Sequence, residues 1–232
     1  MANLLNLDSN ILFYSLAGGI FPALFWLWFW LREDANHPEP RRLIFSSFLM
    51  GGLSTLIVLP LELVAKSQIG SGLYLIIAWA AIEEIAKYVF TATHAFRQKE
   101  FDEPIDALIY LITVALGFAA FENVLFLLKT FANQGVLAGI LIGNIRFIGA
   151  SLLHIISSSV VGAAIAFTFY KSAFLKKLSV ITGLILATAL HSFFNFFIMK
   201  EDGQNMFSVF VIVWIAIIGL ILFFEKAKRI KN

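Results

Sequence analysis

Seven apolar stretches, separated by short polar segments, run along the chain at residues 11–31, 43–65, 73–96, 105–128, 136–170, 178–199 and 206–224. Six of them are about 20 residues long, the length an α-helix needs to cross ~30 Å of hydrocarbon. The pattern predicts an all-α, polytopic transmembrane helix bundle of about seven crossings. The first stretch does not read as a cleavable signal, because no basic residue precedes it and charges, not a small-residue cleavage site, follow it. The fifth stretch would reach about 52 Å at 1.5 Å per residue, too long for one crossing.

Lys and Arg in the connections set an orientation. Residues 32–42, 97–104, 171–177 and the tail from 225 carry 3, 2, 3 and 4 of them; the first ten residues, 66–72, 129–135 and 200–204 carry 0, 1, 1 and 1. The bias alternates loop by loop, so the N-terminus is expected outside and the C-terminus in the cytoplasm. A second full crossing inside 136–170 would put the basic tail outside. That stretch is therefore read as one crossing over 145–170, preceded by a short re-entrant or interfacial helix. No internal repeat is visible, and residues 1–232 read as a single integral-membrane domain.

Composition narrows the classes. Hydrophobic residues make up 60% and charged ones 14%, against about 25% charged in soluble domains. Too little polar surface remains for a soluble enzyme, a disordered chain or a nucleic-acid binder. The chain has no cysteine, which excludes disulfides, thiolate zinc sites, iron–sulfur clusters and cysteine nucleophiles.

Charge also sits where it is costly. Glu83, Glu84 and Lys87 fall in the third span, Glu122 in the fourth, Arg146 and His154 in the fifth and His191 in the sixth, with Asn195 one turn beyond His191. Each ionised group in a span costs about 2.5–3.5 kcal/mol on insertion scales. Counted from the outer ends, the carboxylates and histidines lie ~9 to ~17 Å deep, in one slab of the outer half. His37 and His94, in or near loops, read as ordinary surface histidines.

A buried carboxylate is suited to take a proton from water, and a histidine or an asparagine amide can stabilise an oxyanion. Lys87 is three and four residues from Glu84 and Glu83 and can pair with either. Glu83 and Glu84 lie about 100° apart on a helix, so one can be chemical and the other structural. A glutamate with two histidines also matches the donors of a catalytic zinc, but the spacing is not His-Glu-x-x-His, so metal use stays open. Arg146 can snorkel to headgroups. Ser151, Ser157 and Ser158, with Gly51, Gly52 and Gly162, read as helix-packing residues. A serine nucleophile beside His154 lacks a Gly-x-Ser-x-Gly elbow. A proton-coupled transporter or channel is the rival class, opposed by small size and missing repeats.

Four segments together resemble the PrsW family of intramembrane proteases, itself similar to the CAAX-protease and abortive-infection superfamily. They are Glu83-Glu84-Ile-Ala-Lys87; Asp102-Glu103-Pro104-Ile105-Asp106 with Gly117-Phe118-Ala119-Ala120-Phe121-Glu122-Asn123; Arg146 followed eight residues later by His154; and His191-Ser-Phe-Phe-Asn195. Asp34 and Pro38-Glu39-Pro40 look like the family's acidic loop after span one. Ala107 and Leu111 stand where glycine is expected. The resemblance implies an endopeptidase of the bacterial cytoplasmic membrane that cuts a single-span membrane protein, such as an anti-sigma factor, near the outer face, with lipid bilayer and no nucleic acid as its surroundings. It implies Glu83 as the group that activates water in a glutamic-type reaction. Glu84 and Lys87 would orient it, His154, His191 and Asn195 would bind oxyanion or water, and Glu122 would be a second carboxylate. Asp106 would be structural. No cofactor is assured; should a divalent metal such as zinc be used, its ligands would come from Glu84, Glu122, His154 and His191.

Overall fold

The computed structural model describes residues 9–34, 37–135, 137, 139–140, 149–200 and 206–230. Its helices follow the apolar stretches in order: α1 (Ser9–Leu31), α2 (Arg41–Ile69), α3 (Leu73–His94), α4 (Asp106–Gln134), α5 (Ala150–Phe167), α6 (Ala173–Lys200) and α7 (Met206–Ala227). No strand occurs among the described residues, and the chain is an all-α bundle. Five helices, α1, α2, α4, α5 and the Ala173–Phe197 part of α6, are long and apolar enough to cross a membrane. α3 is as long but carries Glu83, Glu84 and Lys87 within its apolar run.

The long fifth stretch resolves into α5, 18 residues, which is about 27 Å and one crossing. The short helix expected before it falls mostly outside the described residues, as does Arg146. Gly70 and Gly72 take φ of 85° and 100° between α2 and α3, left-handed values that glycine adopts without a Cβ clash.

α4 is the axis of the bundle. Every residue from Asp106 to Ala120 is buried, because α1, α2 and α5 all pack on it, with α3 between α2 and α6. The α2–α4 contact is unusually close. A Cβ on Gly117 would lie 1.9 Å from the Phe48 carbonyl oxygen, and one on Gly51 2.0 Å from that of Val114. Close backbone approach through small residues is how helices associate when lipid removes the hydrophobic drive between them. Gly51 therefore packs as its sequence context suggests.

One end of the bundle gathers the basic loops. Lys228, after α7, donates to Glu33, after α1, at 2.9 Å. His37 meets Glu103 at 2.8 Å, and Ser46 near the start of α2 meets His94 at the end of α3, also at 2.8 Å. The Tyr110 hydroxyl donates to Glu39. Asp106 accepts the backbone N–H groups of Asp102 and Glu103 at 2.9 and 2.7 Å, a structural use that fixes the turn into α4. The polar cluster lies away from this end, deeper in the bundle.

Candidate active site

On α3, the buried positions Ile76, Ala80, Glu83, Glu84, Lys87 and Thr91 recur at helical spacing, so the charged side chains share the helix's inward stripe. α5 brings His154, Ser157 and Ser158 to the same place, α6 brings His191 and α4 brings Glu122. Residues separated by up to 107 positions meet within hydrogen-bond distance.

Glu84, 1% exposed, is saturated. Its Oε1 accepts from Lys87 Nζ at 2.7 Å, His191 Nδ1 at 2.8 Å and Ser157 Oγ at 2.9 Å, and its Oε2 accepts from Ser158 Oγ at 2.9 Å. Charge-assisted bonds of this kind keep a buried carboxylate ionised and fixed. Ser157 and Ser158 are thus donors to a buried anion, a correction to the packing role read from sequence. Their signal, a serine pair within a turn of an intramembrane histidine, is identical to that of packing serines, and only the facing helix separates the two.

The partners orient both imidazoles. His191 donates from Nδ1 to Glu84, and its Nε2 faces Glu83 Oε2 at 3.8 Å. His154 Nε2 bonds Glu122 Oε2 at 2.9 Å, so its Nδ1 lone pair faces inward, 2.9 Å from Lys87 Nζ and 3.8 Å from Glu83 Oε2. The rings stand nearly perpendicular, at 81°, with centroids 5.2 Å apart. Lys87 is fully buried and rests over the Phe118 ring, 4.7 Å from its centroid.

Glu83 is the opposite of its neighbour. Its Oε2 is buried and has no hydrogen-bond partner among the described residues, although Lys87 Nζ lies 3.6 Å away. A buried carboxylate oxygen without a donor is costly and marks a place built for something else to bind. Glu83, His154 and His191 each point one ligand atom there, all within 4.8 Å of one another. Zinc bonds of about 2.0–2.1 Å in a tetrahedral site put ligand atoms ~3.3 Å apart; the two carboxylate–imidazole edges are 3.8 Å and all three atoms lie within 4.8 Å of one another, so the trio would draw together around an ion. Both histidines also have the other ring nitrogen on a carboxylate, the arrangement that orients metal-bound imidazoles. The trio fits a divalent metal. It differs from the ligand set expected from sequence: Glu83 takes the place of Glu84, whose oxygens are already occupied, and Glu122 stands behind His154 instead of beside it.

The remaining candidates divide. Glu122, with about a third of its side chain exposed, is less enclosed than Glu83, Glu84, Lys87 or either histidine. Asn195 is half-buried on α6, and no hydrogen bond joins it to the trio among the described residues. Glu62 of α2 is an addition: half-buried, it faces Glu83 and Glu122, and its carbonyl accepts from Trp79 Nε1 at 3.0 Å. Its signal was present as an acidic residue inside the second apolar stretch, close to the end where such residues usually reach water.

A carboxylate and two imidazoles thus converge on one point of a membrane bundle, backed by two further carboxylates and an ammonium, groups whose chemistry suits hydrolysis. The family model described as PrsW family intramembrane metalloprotease matches residues 39–221, and the chain belongs to this family. It is a peptide hydrolase and a multi-pass membrane protein. It is 26% identical over 221 residues to Protease PrsW of Oceanobacillus iheyensis, covering 94% of this chain and 96% of the relative. It is 24% identical to Protease PrsW of Geobacillus kaustophilus, covering 88% of each. With Protease PrsW of Bacillus subtilis it shares 25% over 154 residues, 59% of this chain and 71% of the relative. No solved structure matches the chain.

Proposed function

We propose that the chain hydrolyses a peptide bond of a single-span, anti-sigma-factor-like protein near the outer face of the bacterial cytoplasmic membrane, with its basic loops and C-terminus in the cytoplasm. The observation that carries this reading is the orphaned Glu83 Oε2, set between a nitrogen of His154 and one of His191 at 3.8 Å each. Glu83, His154 and His191 hold a divalent metal such as zinc. Bound there, the ion would polarise the scissile carbonyl and make its bound water acidic enough to attack near neutral pH. Glu84 fixes the His191 tautomer, Glu122 fixes that of His154, and Lys87 offsets the negative charge of the glutamates.

One observation favours a metal-free, glutamic-type alternative: Lys87 Nζ already occupies the inward lone pair of His154 at 2.9 Å. In that case Glu83 itself takes the proton from water, with Lys87 and the imidazoles binding the oxyanion. Reconstituted protein and a single-span anti-sigma-factor reporter separate the two. The metal reading expects 1,10-phenanthroline to stop cleavage and zinc to restore it. Activity unchanged by chelation supports the glutamic mechanism, and normal cleavage by Glu83→Gln refutes both.

A further inference from the structure

On the flank where α3 and α6 run side by side, a concavity of about 800 Å³ faces outward from the bundle. Ile77, Ala81 and Ile85 form one wall, a helical repeat of four on α3; Ile185, Ala189 and Phe193 form the other, with the same repeat on α6. The two alanines are short and their neighbours rise beyond them, so the hollow is a groove along the helix axes. From Leu73 to Ile85 it runs about 18 Å, and a helix is about 10–12 Å across.

We propose that this groove docks the transmembrane helix of the substrate beside the active site, an inference that rests on the protease reading above. The groove lies beside the site, since its walls are the two helices that carry Glu83, Glu84 and His191. Ile85 follows Glu84, and Ser192, which also lines the groove, follows His191. The Glu84–His191 bond, 2.8 Å, joins the same two helices that wall the groove. The lining is apolar apart from Thr188 and Ser192, and the Ser192 hydroxyl is already bonded to the Thr188 carbonyl at 2.6 Å. A helix, with its backbone bonds satisfied internally, suits such a surface, and an extended polar peptide does not. Alanines in the floor let a helix backbone approach closely, which is what drives helix association in lipid.

The absence of cysteine in the chain makes the test clean. Single cysteines at Ala81 or Ala189, in a Glu83→Gln background that retains uncut substrate, are paired with one cysteine in the outer half of the reporter's helix in liposomes. Cross-links are expected from these positions and not from Leu24 or Phe45, exposed on α1 and α2. In the active chain, Ala81→Trp and Ala189→Trp fill the groove and are expected to slow cleavage of the anchored reporter about tenfold or more, as misplaced substrates do. A soluble peptide containing the cut bond should be cleaved at the wild-type rate. Anchored reporter cut normally by the tryptophan variants shows lipid as the only occupant and overturns the proposal, as do equal cross-links from the control positions. Cross-linked homodimers in place of reporter adducts assign the groove to a second copy and overturn it too. If filling stops both reactions, the cross-links decide. Wild-type chain that cuts neither reporter nor peptide defeats the protease reading itself, a result distinct from failure of the groove.

Discussion

Two adjacent glutamates, exchanged one at a time for glutamine, should give opposite results. Glu84 receives four donors, among them the fully buried Lys87 at 2.7 Å. Glutamine in its place removes the counter-charge and turns an amide N–H₂ toward at least one of those donors. The anion nearest Lys87 is then Glu83, at 3.6 Å. Breaking one side of a buried ion pair costs roughly 3–5 kcal/mol. For a chain of this size 1 kcal/mol moves Tm by about 2–4 °C, so Glu84→Gln should lower Tm by roughly 6–20 °C. Adding Lys87→Met removes the stranded ammonium and should recover at least half of that loss without restoring activity.

Glu83→Gln gives up no hydrogen bond at Oε2, since none exists there, and it removes a buried negative charge while Glu84 still neutralises Lys87. Its Tm should stay within about 2 °C of wild type or rise, while cleavage is abolished. The five tryptophans report unfolding of the purified protein in detergent by intrinsic fluorescence, and the anchored reporter gives activity. Glu84→Gln with unchanged Tm, or Glu83→Gln destabilised as much as Glu84→Gln, refutes the division of labour between anchor and reactive group.

Three further outcomes follow from single contacts. Ser158→Ala should cost about 1.5–3 kcal/mol in thermal unfolding, because it deletes a hydrogen bond to the buried Glu84 carboxylate. Glu122→Gln should weaken zinc binding about 10–100-fold through His154, measured by competition with a chelating dye, while insertion is unaffected; unchanged affinity would separate Glu122 from the metal. Gly117→Ala sets a methyl 1.9 Å from the Phe48 carbonyl oxygen and should cost about 1–3 kcal/mol as α2 and α4 are forced apart; a neutral effect on Tm would contradict the close packing of these helices.

What the sequence made legible is what has a signature in one dimension. An ionisable residue inside an apolar run stands out against its neighbours, and counting from the span ends placed Glu83, Glu122, His154 and His191 at one level before any contact was known. Rotation about the helix axis has no such signature. Glu83 and Glu84 differ by one position and about 100°, yet one is enclosed by Lys87, His191, Ser157 and Ser158 while the other has a bare oxygen between two imidazoles. Which is which depends on where α5 and α6 stand relative to α3: α5 is held by packing on α4, and α6 by packing on α5 and α3. The same blindness hid the donors Ser157 and Ser158 and made Glu84 the expected partner of the two histidines, where Glu83 is the carboxylate that groups with them. A pair of adjacent acids in a membrane helix is therefore best read as two sites facing different helices: the acid facing more donors is the anchor, and the acid left short of donors is where chemistry has room to occur.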